Sequence, residues 1–268
     1  MIFRRQWLLA ATTALLATHG ALAAPPVLLE SLTSPELAAR VADGATTILI
    51  PIGGTEQNGP YMTLGKHNAR VLELSTRIAQ ALGNALVAPV IAYVPEGNIT
   101  PPTQHMRFPG TITVPERVFE ATLESAARSF RAHGFRDIVF LGDHGGYQAS
   151  LARVADRLDK EWASTPVRVH AMPDYYRASS RTWDKTLATR GFSAAEIGVH
   201  AGLADTSLSL AATPSVVRLD ALRHAEHPSK ARGVEGDPTR ASAELGEIGV
   251  DAIVAATVVA VRKAVARR

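Results

Sequence analysis

Residues 46–52 form a β-branched apolar run that ends at Gly53 and Gly54. Apolar side chains then recur at Val71, Leu74, Ile78 and Leu82, which is helical spacing, so a strand followed by a helix over 68–82 is predicted. A second apolar run covers 85–94. A second helix is predicted over 115–133, opened by Pro115 in its first turn and stopped by Gly134. Residues 137–141 make a short apolar strand that runs into a Gly-rich turn, an amphipathic helix over about 147–162 and another strand over 167–172. Residues 95–110, rich in Pro, Gly and Thr, suit a loop over a site, 192–227 is mixed, and 241–266 carries Leu245, Val250, Ile253 and Val258 on one terminal helix. Strand and helix in alternation predict an α/β fold with a mostly parallel sheet flanked by helices. With no internal repeat and no low-complexity linker, one domain over 24–268 is expected. In such a sheet the functional residues gather in the loops beyond the carboxyl ends of the strands.

The first 23 residues stand apart from this alternation. Arg4 and Arg5 precede an apolar stretch over 7–17, and Ala21-Leu22-Ala23 supplies the small-x-small pattern of a cleavage site, so a secretory leader is predicted. Thr12, Thr13, Thr18 and His19 keep the run short of the roughly 20 apolar residues needed to span a bilayer. The Arg4-Arg5 pair also fits a twin-arginine leader, which leaves the export route open and the periplasm as the expected location. Losing both arginines takes the formal charge from +3 to +1. No basic tract remains to bind nucleic acid. The chain has no cysteine, so disulfides, thiolate metal sites and a cysteine nucleophile are excluded, and any metal must be held by nitrogen and oxygen.

Three clusters could carry chemistry. After the first strand, Glu56 is followed eleven residues later by His67 at the mouth of a helix; on their own such residues are more often solvated or capping groups. After the third apolar run, Asp143-His144-Gly145-Gly146-Tyr147 projects an imidazole from a strand end, with Asp143 either orienting it or capping the next helix. Neither a dinucleotide fingerprint nor a phosphate-loop Lys-Ser/Thr pair is present, which demotes phosphate binding. The third cluster sets His200 and Asp205 five apart across Gly202, and His105 adds an imidazole in the 95–110 loop.

In order along the chain, Thr55-Glu56-Gln57-x-Gly59-Pro60 with Leu64-Gly65, Phe108-Pro109-Gly110-Thr111, Gly134-Phe135 running into His144-Gly145-Gly146, His200-Ala201-Gly202-x-x-Asp205-Thr206-Ser207, and Gly233-Val234-Glu235-Gly236-Asp237-Pro238 resemble the creatininase family of metal-dependent hydrolases. The resemblance implies a three-layer α/β/α sandwich, a homo-oligomer, a small-molecule substrate and hydrolysis of a cyclic amide or related C–N bond by a water activated on divalent metal. It makes Glu56 and His144 metal ligands and His200 the acid/base imidazole; Asp205 stands where the family usually has Glu, and the working mechanism expects it to orient His200.

The departures alter that picture. Asn58 stands where the family has a His ligand, His67 where it has an Asp bridging two metals, and Tyr61 and Thr63 replace a His and a Pro. A neutral imidazole offers one lone pair and cannot bridge two cations. Glu56, His67 and His144 are therefore the expected ligands of one ion, Zn²⁺ first, with Mn²⁺ or Fe²⁺ as alternatives. Lactone hydrolysis, or lyase or isomerase chemistry on a sugar-like metabolite, is the alternative reaction; a non-catalytic small-molecule binding protein is the alternative class. For the substrate, Asn58, Tyr61, His105, Arg107 and Tyr147 are candidate contacts, with Tyr175, Tyr176 and Trp183 as further aromatic lining and Arg107 suited to an anion.

Overall fold

The computed structural model describes residues 26–224 and 228–266, so the predicted leader lies outside the described residues. In chain order the elements are α1 (Ser34–Ala42), β1 (Thr47–Ile52), α2 (Lys66–Leu82), β2 (Ala85–Val87), α3 (Glu116–Ala132), β3 (Asp137–Gly142), α4 (Gln148–Glu161) and β4 (Arg168–Ala171). There follow α5 (Pro173–Arg177), α6 (Trp183–Thr189), α7 (Ala194–Ile197), α8 (Leu203–Ala212), α9 (Leu219–Arg223) and α10 (Ala243–Val265). The four strands form one parallel sheet in the order β2-β1-β3-β4.

The period of two along each strand sorts the core into two layers. Leu49, Val139 and Leu141 pack on one face with Val71, Leu74 and Ile78 of α2, Leu203 and Leu208 of α8 and Val250 and Ile253 of α10. Ile48, Ile50, Ile52, Ile138 and Phe140 pack on the other with Phe119 and Leu123 of α3 and Leu151, Val154 and Leu158 of α4. Both faces of β1 and β3 are fully buried, which explains their unbroken apolar runs. The result is the expected three-layer α/β/α sandwich. Each of these large side chains contributes about 1.5–3 kcal/mol by leaving water.

Local differences from the sequence reading have plain causes. The 85–94 run pairs regularly only over Ala85–Val87: Ala88 N–H still donates to Leu49 O, but the next donor to β1 is Ile91 rather than residue 90, so one extra residue breaks the alternation before the chain rejoins β1 where Ile91 pairs with Ile52. Pro115 is the N-cap of α3 rather than part of its first turn, and α2 begins at Lys66, two residues early. The mixed region hides α8, whose side chains are nearly all buried and so show no amphipathic period. No helix among the described residues is long and apolar enough to cross a membrane. The parallel register brings the ends of β1 and β3 side by side, pairing Ile52 with Gly142, and the loops beyond them meet.

Candidate active site

Five bases converge on the Glu56 carboxylate at the end of β1. His67 Nε2 lies 2.8 Å from Oε1, and His200 Nδ1 and Lys66 Nζ each lie 3.7 Å from the same oxygen. His105 Nε2 and His144 Nε2 lie 3.2 Å and 3.5 Å from Oε2. The loop is held by Asn68, whose Oδ1 accepts from the Gly54 N–H at 2.9 Å, and by the Glu56 N–H donating to Leu64 O. Burial would push the Glu56 carboxyl up, but His67, Lys66 and His144 hold it well below the usual carboxylate range. Fully buried Glu96 stands on the other side, its Oε1 3.8 Å from His144 Nδ1. A side chain at Gly54 (φ +151) would place its Cβ 2.7 Å from Glu96 Oε1, so this approach requires glycine. Burial, and then the Glu56 charge, push Glu96 up to about 9, the shift expected of two neighbouring carboxyls that a cation between them would reverse.

Each imidazole is fixed from behind. The Tyr147 hydroxyl lies 2.7 Å from the carbonyl oxygens of both Ile52 and Gly53 and accepts from the His144 N–H, tying the ends of β1 and β3 together. His105 and His200 follow and precede the only two non-glycine residues with positive φ among the described residues, Gln104 (φ 48) and Ala201 (φ 52). Such backbone costs about 1–3 kcal/mol and persists only where surrounding contacts impose it. At His200 those contacts are a short antiparallel bridge to Glu235 and a glycine crossing in which a Cβ on Gly198 would lie 2.1 Å from Glu235 O. The Gln57 carbonyl, 2.9 Å from His200 Nε2, can only accept. The Gln57 side-chain Nε2, 3.1 Å from the same ring nitrogen, can only donate, so Gln57 holds His200 Nε2 with both its carbonyl and its amide and Nδ1 is turned to the Glu56 side. Burial lowers His144 and His200 to about 4 and lowers His105 as well, so all three rings are neutral near pH 7.

The first turn of α2 builds a different environment. His67 Nδ1 lies 2.5 Å from Asp143 Oδ2, so both of its ring nitrogens face carboxylate oxygens. Arg70 donates to Asp143 at 2.8 Å and to Asp205 Oδ1 at 2.8 Å, and Lys66 Nζ donates to Asp205 Oδ2 at 2.6 Å. Tyr175 adds its hydroxyl to Asp143 Oδ1, and the Ala201 N–H donates to Asp205 Oδ2. Burial opposes every charge here, yet Arg70 holds Asp143 low and Lys66 and Arg70 hold Asp205 well below its ordinary range.

These groups open on a cavity of about 830 Å³ lined by Gln57, His67, Arg70, His105, Arg107, Asp143, His144, Tyr176, Asp184, His200 and Asp205, among others. Of the predicted substrate contacts, His105 and Arg107 line it. Asn58, Tyr61 and Tyr147 do not, and those three expectations are corrected. Buried Asn58 donates from Nδ2 to the carbonyls of Glu56 and Thr63, Tyr61 packs in an apolar cluster with Met62, Val216 and Val217, and Tyr147 is the strut just described. Tyr175 serves Asp143, and buried Trp183 donates to Ala204 O, so neither lines the cavity, whereas Tyr176 does. Asp205 is also not the partner of His200: both of its oxygens are taken by Lys66, Arg70 and the Ala201 amide, and Gln57 holds the ring instead. Asp143 likewise serves His67 and Arg70, not His144.

His67, predicted as a ligand with Glu56 and His144, lies against Glu56 with its two nitrogens facing Glu56 and Asp143, and is not in the group that brings its donors together. Glu56, Glu96, His105 and His144 each bring one donor atom within 4.8 Å of the others, forming a group able to hold a metal ion. Glu96, Gln57, Lys66 and Arg70 escaped the sequence reading. The one available signal was the 66/70 spacing, which sets two cations on the same helix face as His67.

The creatininase family model, described as creatinine amidohydrolase, matches residues 30–261. The chain belongs to the creatininase family. It is 29% identical over 210 residues to the creatinine amidohydrolase of Pseudomonas putida, covering 75% of this chain and 77% of that protein. It is 30% identical over 234 residues to a mycofactocin precursor peptide peptidase of Mycobacterium ulcerans (strain Agy99), covering 75% and 78%. A mutant creatininase solved as its Zn-Zn type superimposes with a TM-score of 0.71 at 27% identity, over 89% of this chain and 98% of that one. The chain is thus a creatininase-family hydrolase of the metal-dependent kind, and its unpaired carboxylate and imidazole donors suit a divalent ion.

Proposed function

We propose that the protein hydrolyses a cyclic amide, or a related C–N bond, of a small molecule with a divalent ion held by Glu56, Glu96, His105 and His144. The observation that carries this reading is a set of unmet donors: Glu56 Oε2 and both Glu96 oxygens are buried without a hydrogen-bond partner, beside neutral His105 and His144. Unpaired buried carboxylate oxygens cost folding energy and are retained where a ligand satisfies them. All four donors are N or O, which fits Zn²⁺ and also admits Mn²⁺ or Fe²⁺. A bound divalent ion supplies an acidified water and polarises the carbonyl under attack.

The chain's own residues do the rest. The His200 imidazole takes the proton released as the tetrahedral centre forms and returns it to the leaving nitrogen. The Gln57 carbonyl and side-chain amide, 2.9 and 3.1 Å from Nε2, hold the ring with Nδ1 turned to the Glu56 side. Exposed Arg107, on the cavity lining, pairs with an anionic group of the substrate. The amidohydrolase and peptidase relatives both support C–N cleavage over the lactonase alternative. The leader pattern supports action in the periplasm, and the family likeness supports a homo-oligomer.

The test uses the protein lacking residues 1–23, stripped with chelator and reloaded with Zn²⁺, Mn²⁺ or Fe²⁺, against a panel of cyclic amides, N-acyl compounds and lactones. Turnover of an amide that disappears with chelator and returns with metal is expected. Chelator-insensitive turnover, or binding without turnover under every metal, overturns the proposal.

A further inference from the structure

We propose that Lys66, His67 and Arg70 occupy, as fixed side-chain cations and donors, the charge position of a second metal ion, so that the site takes one divalent ion and excludes another. The inference rests on the metal-dependent reading above and goes beyond it. The relevant geometry is a closed ring in which acids and bases alternate. Glu56 meets His67 at 2.8 Å, His67 meets Asp143 at 2.5 Å, and Asp143 meets Arg70 at 2.8 Å. Arg70 meets Asp205 at 2.8 Å, Asp205 meets Lys66 at 2.6 Å, and Lys66 closes on Glu56 at 3.7 Å. All three bases leave the first five residues of α2, and Lys66 and Arg70 share one face because they are four residues apart.

Every carboxylate oxygen on this side already has a donor. Asp143 Oδ1 accepts from Tyr175 and Arg70, and its Oδ2 from Arg70 beside His67. Asp205 Oδ1 accepts from Arg70, and its Oδ2 from Lys66 and the Ala201 amide. Glu56 Oε1 faces His67 and Lys66, which leaves Oε2 as the one oxygen of that carboxylate without a donor. An ion entering here would have to break these charge-assisted bonds and then sit beside two buried permanent cations, which are 0% and 3% exposed. Asn58 offers no remedy, since its amide is turned to the Glu56 and Thr63 carbonyls. Lys66 and Arg70 are positioning residues: they hold Asp205, Asp143 and Glu56 in place of a metal and do not touch the reacting atoms.

The test is a count of bound metal on the intact protein. Chain dialysed against excess Zn²⁺ and then passed through gel filtration is measured by inductively coupled plasma mass spectrometry and by calorimetric titration. One ion per chain is expected. Two ions per chain overturn this inference and leave the hydrolase reading standing; none overturns the hydrolase reading itself. A second arm measures Zn²⁺ affinity in Lys66→Gln, with Lys66→Arg as the charge-conserving control and circular dichroism to confirm folding. Removing a cation next to a metal ligand is expected to tighten Zn²⁺ binding about tenfold, with Lys66→Arg restoring the original Kd. Affinity that is unchanged or weaker in folded Lys66→Gln overturns the inference. If that variant does not fold, the wild-type count still decides it.

Discussion

The two oxygens of Glu56 face two different kinds of protein. On the Oε1 side, acids and bases alternate and every carboxylate oxygen is met by a donor from the chain. On the Oε2 side, a buried carboxyl and two neutral imidazoles face one another with three carboxylate oxygens unmet. Both sides are buried and rich in the same residue types, so composition alone does not separate them. What separates them is whether the chain supplies the countercharge: the paired side holds the scaffold, and the open side is left for a ligand.

The largest expected effect is on the open side. His144→Ala should lose bound metal and lower turnover at least about a hundredfold, whereas His67→Gln should keep its metal content; metal analysis with steady-state kinetics checks both, and the opposite pattern would reverse the assignment of the two sides. Next comes the paired side. Arg70→Met leaves Asp143 and Asp205 buried without their shared cation and should cost about 3–5 kcal/mol in denaturant unfolding; a loss below about 1 kcal/mol would break the contrast.

Asp184 offers a sharper case, a carboxylate on the same cavity with no cation partner among the described residues. Burial and then the Asp205 charge push it up to about 6. Its folded form therefore binds the proton more tightly than the unfolded chain, whose Asp titrates near 3.9. The unfavourable contribution is full above about pH 6 and absent below about pH 4. Asp184→Asn should then stabilise by on the order of 1–2 kcal/mol at pH 8 and by nothing at pH 4, after allowance for its partial exposure. Equal effects at both pH values would contradict this. The smallest effect belongs to the surface: Arg128, paired with Glu124 and Glu161 in water, should shift Tm by no more than a few degrees when changed to Ala.

What could be read from the sequence follows the range of the forces involved. β1, β3 and their helices were legible because burial on a sheet face imposes a short period on neighbouring residues. Glu56, His144 and His200 were legible because a parallel sheet gathers strand-end loops, and because the motifs around them match the family. The fate of His67 was not, since it is set by Asp143, 76 residues away, through a contact that no local pattern encodes. Glu96 lies in a Pro- and Gly-rich loop without periodicity, so nothing nearby marks it as buried. Tyr61 and Tyr147 looked like pocket aromatics, yet each is drawn into the interior, Tyr147 because its hydroxyl finds backbone carbonyls there.

The most direct test of the contrast is a crystal structure of the Zn²⁺-loaded protein with anomalous scattering recorded at the zinc edge. One peak within bonding distance of Glu56 and His144, on the side of Glu96 and His105, and no peak beside Asp143 or Asp205, is the expected result. A peak held by His67 and Asp143 or by Asp205, or no peak at all, would contradict the account.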